Sequence, residues 1–82
     1  MAKEPVSEAA STFGARVRAR RLELGKSQEQ LAEASDLHWS YLGQVERGRR
    51  NISLHNILKI AEVLNVDPGD LVRGLKSPTA DG

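Results

Sequence analysis

The sequence predicts an all-α domain of five helices. Three observations carry that expectation. Apolar residues recur at helical spacing, most clearly Leu54, Ile57, Leu58, Ala61 and Leu64, a stripe that one helix face can bury. Cap residues punctuate the chain: Ser27, Ser53 and Asp67 stand before apolar segments, and Gly25 and Gly48 stand after them. No stretch alternates apolar and polar residues as a strand does, and no segment repeats.

Residues 28–48 are the centre of the chain. They read as two short helices joined by a tight turn. Leu31, Ala32 and Ala34 are the small and apolar face of the first; Leu42 and Val45, three apart, are that of the second. Ala32 is small where two steeply crossing helices must touch, as in a helix-turn-helix. Asp36 stands where the chain must turn sharply, so φ > 0 is expected there. Leu37 then points back to the core. Trp39, Ser40, Gly43 and Gln44 remain for the outer face of the second helix, with Tyr41 beside them. An exposed row of donors, acceptors and one large ring is poor design for a helix that only packs. It suits a helix that enters a groove.

The other elements follow in order. Residues 1–11 are small, polar and Pro-containing, and read as a flexible N-terminal arm. Phe13, Val17 and Leu24 fit a first helix over 12–24, ended by Gly25. Ser27 and Gln30 form a capping box for a second helix reaching about 35. The third helix runs from 38 or 39 to about 47, and Arg49-Arg50-Asn51-Ile52 makes a basic loop. Ser53 caps the fourth helix. Asp67 caps the fifth, about 68–73, with Pro68 at its first position and Asp70 in its first turn. Residues 76–82 show no periodicity and are expected to be a disordered tail. Removing residues 1–8 or 77–82 should therefore cost the fold little.

Composition sets limits. A chain of 82 residues holds one small domain, here 12–75. It has no cysteine, so no disulfide or thiolate metal site. No apolar run approaches the ~20 residues that span a membrane. Met1 to Pro5 lacks the apolar core of a secretory signal, so a cytoplasmic protein is expected. The formal net charge is only +1. The distribution says more: Arg16, Arg18, Arg20 and Arg21 crowd one segment, and Arg47, Arg49 and Arg50 another. No enzyme reading survives. His38 and His55 are the only histidines, in neither metal-ligand nor triad spacing. No Gly-rich phosphate loop is present. No cofactor or small-molecule ligand is evident, and Glu62 and Asp67 read as helix-surface and cap residues.

Arg21 with Leu24-Gly25, the run Ser27-Gln28-Glu29-Gln30-Leu31-Ala32, Val45-Glu46-Arg47-Gly48, Ser53-Leu54 and Leu64-Asn65-Val66 carry a resemblance. Over residues 13–71 the chain resembles the Cro and phage-repressor family of compact five-helix DNA-binding domains. Ser40-Tyr41-Leu42 and the run from Glu46 to Leu54 are also similar to the controller proteins of restriction–modification systems. The resemblance implies a third helix docked in the major groove of double-stranded DNA. It implies a phosphate contact at Gln28 and an ion pair between Arg21 and Glu46. Departures stand at Arg20 and Lys26, where the family often has leucine, and at Asp36, where it usually has Gly or Asn. Where controller proteins commonly have Arg, this chain has Trp39, which removes a bidentate reader of guanine.

The residues then divide. Trp39, Ser40, Gly43 and Gln44 are the candidate base readers. Gln44 is able to bond adenine in bidentate fashion, and Trp39 to meet a thymine methyl or sugar. Gln28, Tyr41, Arg47, Arg49, Arg50 and Asn51 are candidates for the DNA backbone. Arg16, Arg18 and Arg20 read as a charged face, part of it near DNA. One such domain makes few base contacts, so a homodimer is expected, with Ile57, Leu58, Leu71, Val72 and Leu75 as its apolar interface. The expected function is transcriptional regulation at an operator. The alternative is the same fold as a protein-interaction module, an antitoxin or adaptor, binding protein through Trp39 and Tyr41.

Overall fold

The computed structural model describes residues 4–78. Five helices follow one another: α1 Glu8–Glu23, α2 Gln28–Ala34, α3 Trp39–Glu46, α4 Leu54–Leu64 and α5 Pro68–Val72. Helix α1 packs on α3, α4 and α5, while α2 packs on α3 and α4. Val17, Leu31, Leu42, Val45, Ile60 and Leu64 are fully buried where they meet. Phe13, Ala32, Ala61 and Leu71 complete the core. Each large aliphatic side chain buried this way contributes about 1.5–3 kcal/mol.

The caps act as expected at the helix starts. The Ser27 hydroxyl accepts from Gln30 N at 3.0 Å, and Gln30 Oε1 accepts from Ser27 N at 2.8 Å. Ser53 caps α4 and Asp67 caps α5. The ends of α1 to α4 share one device. Lys26 N donates to Arg21 O at 3.1 Å, Leu37 N to Ala32 O at 2.9 Å, Arg49 N to Gln44 O at 2.9 Å and Val66 N to Ala61 O at 3.1 Å. Each is the long bond of a Schellman turn, which needs a left-handed residue at its corner. Gly25, Asp36, Gly48 and Asn65 occupy those corners with φ of 70°, 59°, 76° and 56°.

Several expectations are corrected. Helix α1 begins at Glu8, not at 12, so residues 8–11 belong to the helix and not to an arm. Ser7 is its cap, accepting from Ala10 N at 3.0 Å. Val6 N donates to Gly48 O at 2.8 Å, tying the start of the chain to the end of α3. Removing residues 1–8 therefore removes structure. Ser7→Ala alone is expected to lower stability by about 1 kcal/mol, measured by urea unfolding. Leu24 is exposed, because it is the last residue before the turn. Ala34 is exposed too. Ile60 is core although it was not among the apolar residues singled out on α4; its spacing from Ile57 and Leu64 was the available signal. Of the expected disordered tail, residues 79–82 lie outside the described residues.

Candidate nucleic-acid interface

Helix α3 is presented by its turn. Asp36 takes the left-handed conformation, and Leu37 turns inward to pack against the core. His38 then caps α3: its Nδ1 accepts from Ser40 N at 3.2 Å and lies 2.8 Å from Ser40 Oγ. That arrangement requires an unprotonated Nδ1, with the ring proton on Nε2. Trp39 begins the helix 55% exposed, its ring stacked on His38 with centroids 6.1 Å apart. It borders a shallow depression shared with Glu29 and Glu33 of α2.

The outward row is shorter than expected. Trp39 and Ser40 are exposed and Gln44 is partly so, but Gly43 is buried. The side chains of Gln28 and Arg47 lie over it, 3.5 Å from where a Cβ would stand. Gly43 therefore is not one of the open readers in this arrangement. Gln44 is held: Arg50 Nε donates to its Oε1 at 2.5 Å. The Arg50 guanidinium lies 5.7 Å from the centre of the Tyr41 ring. Tyr41 Oη accepts from Asn56 Nδ2 at 3.1 Å, which anchors the half-buried tyrosine to the first turn of α4.

Beneath this surface, Arg21 and Glu46 form the expected pair. Nε of Arg21 meets Oε2 of Glu46 at 2.7 Å and Nη2 meets Oε1 at 3.0 Å. Each residue is 7% exposed. The hydrogen bonds to Glu46 raise the Arg21 pKa above its already high ordinary value; burial opposes the shift and Coulombic attraction adds to it. Arg21 Nη1 also donates to Lys26 O at 2.9 Å, and Gln28 Nε2 donates to Glu46 Oε1 at 2.9 Å. Gln28 thus joins the ion-pair network, leaving its other amide proton and the helix N-terminus for an anion.

A family described as helix-turn-helix matches residues 17–71. The chain belongs to the helix-turn-helix family. It is 51% identical over 61 residues to control protein C.BamHI of Bacillus amyloliquefaciens, covering 73% of this chain and 75% of that one. The restriction–modification controller protein C.AhdI of Aeromonas hydrophila superposes with a TM-score of 0.74 at 52% identity, over 76% of this chain and 94% of that one. SinR, a master regulator for biofilm formation solved in complex with DNA, superposes with a TM-score of 0.70 at 35% identity, over 72% and 95%.

In this helix-turn-helix protein the arginines separate by role. Arg47 and Arg50 are exposed and Arg49 is half-buried, just beyond α3. On α1, Arg18 is exposed, while Arg16 and Arg20 of the expected charged face are half-buried and turn to backbone carbonyls. Arg16 Nη1 donates to Leu71 O at 3.2 Å and Arg73 O at 2.8 Å. Arg20 Nε donates to Leu64 O at 3.0 Å. Both satisfy carbonyls that a helix end leaves open. Arg20 thereby gives α1 a polar tie to α4 where the family often has leucine. The apolar candidates separate too. Leu71 is 3% exposed and belongs to the core, so it is withdrawn from the interface. Ile57 and Leu75 are half-buried against the core, while Leu58 and Val72 are exposed. Leu54, expected in the buried stripe of α4, is instead 66% exposed and joins Leu58, one turn on, at the surface. No helix among the described residues is long and apolar enough to cross a membrane.

Proposed function

We propose that the protein is a homodimeric transcriptional regulator that reads an operator with α3. Membership of the helix-turn-helix family makes it a DNA-binding regulator and not an enzyme. The observation that carries the finer reading is the pairing on α3 of exposed Trp39 and Ser40 and half-exposed Gln44 with Arg47, Arg49 and Arg50 just beyond. The first group offers base contacts and the second offers cations to phosphates. Two subunits would read half-sites about one helical turn (~10 bp) apart, or a multiple. Leu54, Leu58 and Val72 supply exposed apolar surface for the dimer. A monomer in sedimentation at high micromolar concentration would count against it. A cytoplasmic location belongs to this reading.

Binding across a salt series tests the division of labour. Gln44→Ala is expected to cost about 1–3 kcal/mol on the selected site and to relax the choice at one base pair per half-site. Arg47→Ala is expected to weaken all sequences alike and to flatten the salt slope by about one ion per subunit. Equal, sequence-independent losses in both variants would refute base reading by this face. Trp39 supports a second reading, as a protein-interaction site of the antitoxin or adaptor kind, because its depression includes two α2 carboxylates that repel phosphate. Trp39→Ala would then leave DNA affinity unchanged.

A further inference from the structure

Gln44 is not a free side chain. Arginine carries donors only, so the Gln44 atom that faces Arg50 Nε is the carbonyl oxygen. The amide NH2 is therefore turned away from Arg50. Arg50 is itself located by the Tyr41 ring, within cation–π range, and Tyr41 is located by Asn56. Asn56 belongs to the capped first turn of α4, where its N–H donates to Ser53 Oγ at 3.2 Å. A chain of four side chains thus runs from the start of α4 to the outer face of α3.

We propose that Arg50 is a positioning residue that sets which base Gln44 reads. This rests on Gln44 being a base reader. With its carbonyl held, Gln44 offers its NH2 to the groove. A bidentate contact with adenine needs the carbonyl as acceptor for N6–H and the amide as donor to N7. Arg50 takes one lone pair of that carbonyl and sets its positive charge beside the other, where adenine N6–H would donate, so the held amide favours an edge made of acceptors, the N7 and O6 of guanine or the O4 of thymine. The guanidinium has five N–H donors, and Gln44 uses one. The Nη atoms remain available to a phosphate, so one arginine joins backbone contact to base choice.

The test is selection of bound sites from a random duplex library by wild type, Gln44→Ala, Arg50→Lys and Arg50→Ala, with the affinity of each measured against salt. Lysine keeps the charge but lacks the planar Nε donor. The wild type is expected to select guanine or thymine at the base pair Gln44 meets. Arg50→Lys is expected to retain the salt slope yet to shift that one pair toward adenine, by about tenfold in relative preference. Gln44→Ala is expected to abolish the preference there. If Gln44→Ala changes no position, base reading by Gln44 fails and the inference falls with it. If Gln44→Ala changes a position but Arg50→Lys leaves it as in wild type, base reading stands and the positioning role is overturned. If both arginine variants lose affinity uniformly at every sequence, Arg50 is a phosphate contact only, and the positioning role is again overturned.

Discussion

Glu46→Ala is expected to destabilise the domain by about 3–5 kcal/mol. Glu46 accepts three hydrogen bonds, two from Arg21 and one from Gln28. Without them Arg21 stays buried and charged, because arginine cannot shed its proton to escape. Its raised pKa fixes the sign of any pH effect. The stabilisation on the arginine side is fully present below the unfolded pKa and is lost only above the folded one, far beyond neutral pH. The arginine side therefore contributes no pH dependence near neutrality. Urea unfolding at pH 7 measures the loss, and the melting temperature should fall by roughly 15 °C or more. The double replacement Arg21→Met with Glu46→Leu should cost much less, since it strands no charge. A loss below about 0.5 kcal/mol for Glu46→Ala would place the pair with exposed ion pairs. The effect reaches the interface because Glu46 ends α3 and holds Gln28 at the start of α2.

Gly14→Ala should also destabilise strongly, by about 3 kcal/mol, against the trend of helix propensity. Alanine inside a helix is ordinarily better than glycine by roughly 0.5–1 kcal/mol. Gly14 lies in the middle of α1, so propensity alone predicts a gain. A Cβ there would stand 2.2 Å from Val45 O and 2.6 Å from Glu46 O. These are backbone atoms at the end of α3, and they cannot swing aside. Helices α1 and α3 would have to separate, opening the core around Phe13 and Val45 and pulling Arg21 from Glu46. Gly43→Ala is the control. Its Cβ meets only flexible side-chain ends at 3.5 Å, so propensity should prevail and stability should rise slightly. Thermal unfolding of the two variants decides it: equal gains in both would show that α1 and α3 tolerate the added atom.

The helix-turn-helix was legible because its determinants are local. A capping box needs residues three apart, and a Schellman turn needs one left-handed residue at its corner. Ser27, Gln30, Asp36 and Gly48 are therefore readable without knowing what packs on them. The start of α1 escaped because Ser7 is followed by Glu8 and small residues, so its cap leads into no apolar stripe. Of the outward row, Trp39, Ser40 and Gln44 are on the surface. Gly43 shares their spacing but is covered by Gln28 and Arg47, and a helical period carries no information about long side chains folding over a glycine.

By itself the sequence determined the helix count, the turn between α2 and α3, and the polar character of the α3 surface. All three follow from the residues at a cap, a corner or a face. Only the tertiary structure decided what the long side chains do. Arg16 and Arg20 find carbonyls 55 and 44 residues away, while Arg50 turns to Gln44. Leu71 goes to the core and Leu58 to the surface, though both are leucines on amphipathic helices. The physical reason is that an open carbonyl at a helix end, or a gap between two helices, exists only once separate segments have met. Reach and partner are properties of that meeting, and the spacing of residues along one chain does not contain them.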